Sequence, residues 1–221
     1  MNVFGLVQLS QATQQFNTYS YSFGIETLAR RHQLSTADQL LALLTGLLHA
    51  ALGPADGVAS GISFRAARTG NFAEVPDVCR AMSSDRLPVN MRLASMAMGN
   101  RLWEVSRQWD WAGPVHEQLD PVARDLDMHH AVAFGALVSE TTSQQVRAIA
   151  AYLFNMASSI VAAAVRLVPL EESVGNHVLA TMQPTIAQLA GQFADKHPGD
   201  IIALGAAGTP ADDAFEDLFH Q

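Results

Sequence analysis

This chain of 221 residues predicts an all-α fold: a single-domain bundle of about ten helices with a flexible C-terminal tail. Two observations carry the prediction. Leu, Ala, Met, Gln and Arg dominate, and no run of alternating β-branched residues suggests a strand. Capping residues, Gly and Pro break the chain at helical intervals. Apolar residues reach 49%, while charged residues are only 15%, against a usual ~25%. A chain this long buries roughly 70% of its unfolded surface and needs neither metal nor disulfide to fold. A surface so short of charge is suited to being covered by a partner or by a second copy.

Val3 to Ala12 predicts a first helix, followed by the polar stretch Thr13 to Thr18. Ser22 to His32 predicts a second. Ser35 and Asp38 form a Ser-x-x-Asp start for a third, whose stripe is Leu40, Leu41, Leu44, Leu47 and Leu48. Gly53-Pro54 should end it. Helices follow over Ala55 to Arg68 and Phe72 to Ser83, then a turn at Asp85 to Pro88 and a long helix from Val89 to about Trp109. Trp111 to Pro121 contains two prolines and reads as an irregular crossover. His129 to Ser139 is helical, with Gly135 permitting a close helix contact. Thr142 and Gln145 supply a Thr-x-x-Gln capping box for a helix reaching Val168. Pro169 stops that helix, because its predecessor is pushed out of the α region. Glu171 and Glu172 favour the positive end of the next helix dipole. That helix runs to about Lys196, with Pro184 expected to kink or break it. The domain is placed at residues 1–204 and the acidic tail at 205–221.

The net charge of −8, 13 basic against 21 acidic residues, argues against nucleic acid, which needs clustered Lys and Arg. Cys79 is the only cysteine, so no intramolecular disulfide can form. With no basic N-terminal region, a secretory signal is not expected, and a cytoplasmic location is. The uncharged runs Gln39 to Ala55 and Ala148 to Val165 approach the length of a membrane span. However, Asn155, Ser158 and Ser159 interrupt the second, and no Lys/Arg clusters flank it. It reads as the helix at the centre of a bundle, apolar on all sides.

Chemical motifs are largely missing. His116-Glu117 begins like a zincin helix, but Asp120 stands where the second histidine is required. His129 and His130 are adjacent and so point about 100° apart on a helix. Together with nearby Asp125 or Asp127 these histidines leave open one alternative, a helical metal-dependent enzyme. No Gly-x-Ser-x-Gly and no phosphate loop occurs, and Cys79 suits a core position better than a reactive thiolate. No catalytic residue, metal ligand or cofactor is assigned.

Three stretches resemble the UreF family of urease accessory proteins. They are Tyr19-Ser20-Tyr21-Ser22-Phe23-Gly24-Ile25-Glu26; Met91-Arg92-Leu93 with Met98-Gly99-Asn100-Arg101; and Ala151-Tyr152-Leu153-Phe154 leading to Ala163-Ala164-Val165-Arg166-Leu167-Val168-Pro169-Leu170. Their order and separations match the family over about residues 3 to 195. The resemblance implies an all-helical, non-enzymatic scaffold for nickel delivery. Such a protein forms a homodimer, binds a UreH/UreD-type accessory protein and recruits a UreG-type GTPase. The assembly serves apo-urease, and a water-filled nickel route has been proposed for the family. A paralogue maturing another metalloenzyme is a second alternative.

The resemblance marks Tyr19, Ser22, Gly24, Glu26, Arg92, Arg101 and the tail residues Phe215, Leu218 and Phe219 for partner contact. Gly99, Arg166 and Pro169 are marked as structural. Arg92 and Arg101 are nine residues apart, about 180° around a helix, so one is expected to anchor the fold and the other to face outward. Arg166 falls in the last turn of its helix, where the dipole favours a cation. The chain departs from the family in three places. Gln15-Phe16-Asn17-Thr18 replaces a Pro-x-Gly-Gly-like segment, Glu171-Glu172 replaces Gly-Gln, and the tail has Asp217 where the family has arginine.

Overall fold

The computed structural model describes residues 1–20, 25–84 and 89–201. Within them lie ten α-helices: α1 (Val3–Ser20), α2 (Ile25–Arg30), α3 (Ala37–Leu47), α4 (Val58–Thr69), α5 (Val75–Met82), α6 (Val89–Ser106), α7 (Gly113–Ala123), α8 (His130–Val138), α9 (Gln145–Leu167) and α10 (Glu172–Phe193). A π-helical segment, Leu48–Gly57, joins α3 to α4, and no strand occurs among the described residues. The fold is all-α. The expected turn at Asp85 to Pro88 and the tail from Gly205 lie outside the described residues.

The bundle is built around α8. Every one of its nine residues is buried, and α4, α6, α9 and α1 pack around it. The helix enclosed on all sides is therefore α8. The expectation that Ala148 to Val165 fills that place is corrected, because α9 keeps an outer edge on which Arg147, Ala162 and Arg166 are exposed. Asn155, which interrupts the apolar run, is buried in α9 and tied by its Nδ2 to Ser10 Oγ (3.1 Å) and the Ala151 carbonyl (2.8 Å). The runs Ala37–Thr69 and Gln145–Leu167 are long and apolar enough to cross a membrane, but more than half of an apolar 18-residue stretch within each is buried inside the bundle.

Several boundaries depart from the sequence reading for identifiable reasons. The first helix continues to Ser20, because Thr13 is buried and glutamines are good helix formers. Thr36, one residue beyond Ser35, is the true cap of α3, in a reciprocal box with Gln39. The helix does not end at Gly53-Pro54. Its wider π turns carry the chain past the proline, whose ring would collide with a carbonyl of an ordinary helix.

The supposed crossover is helix α7. Pro114 sits in its first turn, and Pro121 frees the carbonyl of exposed Glu117 to water. The Thr142 box does not form: Thr142 Oγ1 accepts from Gln144 N, while Gln145 reaches the carbonyls of Gly61 (3.0 Å) and Ala194 (2.6 Å). Pro184 does not break α10, since it and Ala180, four residues earlier, both face solvent. Val168 adopts φ −121°, ψ 145°, the extended conformation required before Pro169.

Arg65 ties the end of α10 back to α4. Its guanidinium donates to the carbonyls of Ala194 and Lys196, each at 2.8 Å. These carbonyls are among those a helix end leaves without a backbone partner.

Candidate functional site

The tightest packing is where α8 crosses its neighbours. A Cβ on Gly135 would lie 2.2 Å from the Ser60 carbonyl oxygen of α4. On Gly99 of α6 it would lie 2.0 Å from the Met128 carbonyl oxygen, just ahead of α8. Both glycines let one backbone rest on another, so Gly99 has a definite packing position. Ser63 Oγ donates to the Val132 carbonyl (2.7 Å) and fixes the register of α4 against α8.

Among the described residues, the histidines are held separately and form no common centre. His116 Nε2 lies 2.9 Å from Ser106 Oγ, and that hydroxyl donates to the Trp103 carbonyl, so the ring nitrogen is the donor. Asp120 accepts from Trp103 Nε1 (2.9 Å) and from both terminal nitrogens of Arg107 (2.6 and 2.9 Å). This clasp joins α6 to α7. Burial holds His116 below the usual histidine range. His129 lies between Ser83 Oγ (2.9 Å) and Ser95 Oγ (3.1 Å), and His130 beside Tyr152. Burial lowers both to about 4, so both are neutral at physiological pH. Burial also raises the Cys79 thiol to about 11, which suits a core side chain. No group of three or more His, Cys, Asp or Glu side chains able to hold a metal occurs among the described residues.

The outer surface is more informative. On α1, Val3, Phe4, Val7, Gln8, Gln11 and Gln15 are exposed on one side, with Phe4 89% exposed. No residue before Glu26 carries a charged side chain. On α6, Val89 and Leu93 are 60% and 59% exposed, and the helical repeat sets Arg101, also exposed, on the same face. Arg92, on the other side of α6, is half-buried and donates to the Ser83 carbonyl at the end of α5 (3.3 Å).

Other residues singled out from the sequence are scattered. Tyr19 falls in the last turn of α1, and Glu26 is exposed at the start of α2. Arg166 is exposed in the last turn of α9, and Pro169 is exposed just after it. Ser22, Gly24, Phe215, Leu218 and Phe219 lie outside the described residues. The exposed faces of α1 and α6 were missed in the sequence. The one available signal was the uncharged stretch before Glu26, which is as compatible with burial as with exposure.

The model of the UreF family matches residues 34–183, more than half of the chain. This chain belongs to the UreF family. It is similar to proteins named urease accessory protein UreF from three bacteria. That of Geobacillus kaustophilus is 25% identical over 84% of this chain and 81% of its own length. That of Azorhizobium caulinodans is 26% identical over 79% and 75%, and that of Trichodesmium erythraeum 26% over 82% and 78%. Members of this family are accessory proteins, and the chain is accordingly not an enzyme. The metal-dependent enzyme built on His116, His129 and His130 is thereby set aside.

Proposed function

We propose that this protein acts in urease maturation by contact alone. It forms a homodimer, binds a UreH/UreD-type accessory protein, engages a UreG-type GTPase and presents the assembly to apo-urease in the cytoplasm, where nickel is the cargo. One observation carries the docking part of this reading: an uncharged helix face on α1 that leaves Phe4 89% exposed. A single isolated apolar side chain means little, but a row of them along a helix without charges marks a contact surface.

Charge selects the face for this homodimer. Two copies each carrying −8 repel, and they approach at least cost through a face with no charge of its own. The amides of Gln11 and Gln15 both donate and accept, as a two-fold contact requires of residues that meet their own kind. Tyr19, Ser22, Gly24, Glu26, Arg101 and the tail residues Phe215, Leu218 and Phe219 belong to the proposed contacts with other partners. Arg92 supports that surface from behind, through α5.

Phe4→Arg is the direct test. It should abolish self-association in light scattering while leaving the helical signal and the unfolding midpoint of the dilute, monomeric protein unchanged, because Phe4 is 89% exposed in the single chain. Self-association that survives the substitution rejects the α1 interface. In cells, deleting the gene should leave urease polypeptide abundant but poor in nickel. Normal nickel occupancy in the deletion strain rejects the maturation role.

A further inference from the structure

The outer face of α6 and the end of the chain match in chemistry, and the fold sets the root of the one near the other. Val89 and Leu93 are 60% and 59% exposed, and Ala97, one turn further, is exposed as well. Arg101 closes this stripe. No acidic side chain precedes Glu104 on α6, and Glu104 is paired with Arg107 (3.3 Å). The stripe is thus apolar at one end and cationic at the other.

The last residues of the chain are its complement. Phe215, Leu218 and Phe219 have the spacing that brings side chains to one face of a helix. Asp212, Asp213, Glu216 and Asp217 stand before and between them, and no Lys or Arg occurs after Lys196. The chain leaves the body at a fixed point beside α5. Arg65 holds the carbonyls of Ala194 and Lys196, and His197 Nδ1 lies 3.1 Å from Oε1 of Glu74, just ahead of α5. Ile201 is buried where the turn Pro198–Asp200 packs on α4 and α5. From this root α5 runs about 12 Å to Ser83, whose carbonyl accepts from Arg92 of α6. The spacer 202–214 spans up to about 40 Å when extended, so the tail reaches the stripe of its own molecule.

We propose that residues 212–221 dock in cis along α6, with Phe215, Leu218 and Phe219 against Val89, Leu93 and Ala97 and the carboxylates toward Arg101. A tether of this length keeps the segment at an effective concentration of about millimolar, which favours it over the tail of a second copy. The outer face of α1 is a poorer seat, because it has no cationic side chain to meet the acidic residues. In the free chain the tail covers Val89 and Leu93, and a partner that takes the tail uncovers them. That consequence rests on the tail contacts proposed above, whereas the docking itself is a property of the isolated chain.

Paramagnetic broadening in the isolated full chain tests it, with no partner protein present. Cys79 is buried, so a nitroxide reagent takes only the cysteine introduced by Gln221→Cys. In methyl-labelled protein, the signals of Val89 and Leu93 should broaden more than those of Val146. Yet Val146 adjoins Gln145, which donates to the Ala194 carbonyl near the tail's root (2.6 Å). Broadening at Val146 that equals or exceeds that at Val89 and Leu93 is the mark of an undocked tail and overturns the proposal. Leu93→Asp removes one apolar seat from an exposed position and should weaken docking about ten-fold or more, read as lost broadening at Val89. Broadening that Leu93→Asp leaves unchanged overturns it too. So does broadening of equal strength when nitroxide and methyl labels are on different chains, which would seat the tail on a second copy.

Discussion

The seam where α8 crosses α4 and the outer face of α1 are both rich in apolar residues, yet they do opposite work. Along the seam, Gly135 brings one backbone onto another, and Ala131, Val132, Phe134 and Leu137 are wholly enclosed. On α1, Val3, Phe4 and Val7 are apolar too, and they stand in solvent. The residue types are alike, and only the neighbouring elements differ. Apolar character alone therefore does not separate what folds this protein from what it offers to others.

The sharpest way to break the comparison is Gly135→Leu. Its side chain has no space against the Ser60 carbonyl, so the variant should lose at least about 3 kcal/mol, read from the urea midpoint. Gly191→Ala is the control. Nothing lies within 4 Å of a Cβ at that position, and it should stabilise α10 by about 0.5–1 kcal/mol. A tolerated Gly135→Leu would mean that the seam is looser than the contact distances show.

A middle-sized effect comes from pH, because His129 and His130 lie at the N-terminal end of the seam. Both are lowered from 6.5 to about 4, so their contribution is present above 6.5 and is lost as pH falls through about 4. His116 is lowered as well and acts in the same direction. Asp56 has the opposite sign. It is raised, so its contribution is full below 3.8 and is lost as pH rises through about 6. Between about 4 and 6 the two lowered histidines outweigh the one carboxyl, and stability should increase with pH. His130→Phe should reduce that slope by about 1.4 kcal/mol per pH unit, measured by urea unfolding across the range. An unchanged slope would contradict the burial of the His130 imidazole.

The smallest effect is expected on α1. Phe4→Ser should change monomer stability by no more than about 0.5 kcal/mol in the same assay. A larger loss would place Phe4 in the fold and remove the contrast with the seam.

Much of the fold was legible because helix propensity and the 3.6-residue repeat are local properties. The leucine stripe of α3, the stop at Pro169, the acidic start of α10 and the small residues of α8 all follow from neighbours along the chain. The errors occurred where tertiary packing overrode a local signal. Pro54 was read as a stop, but π turns absorb it, and the Thr142 box was displaced because Gln145 has carbonyl partners on α4 and beyond α10. The candidate site was less legible. Arg92 and Arg101 were placed on opposite sides of one helix by their spacing, yet nothing in the spacing said which would meet Ser83 and which would face solvent.

By itself, the sequence determined the helical class, the family and the shortage of surface charge, since these depend on which residues follow one another. Only the tertiary structure decided that α8 is the enclosed helix, that Phe4 is uncovered, and that Asp56, Tyr152 and His130 share one hydrogen-bonded chain although they are 22 to 96 residues apart. Burial and long-range hydrogen bonding depend on which surfaces meet after the helices have formed, and that is a property of the whole bundle.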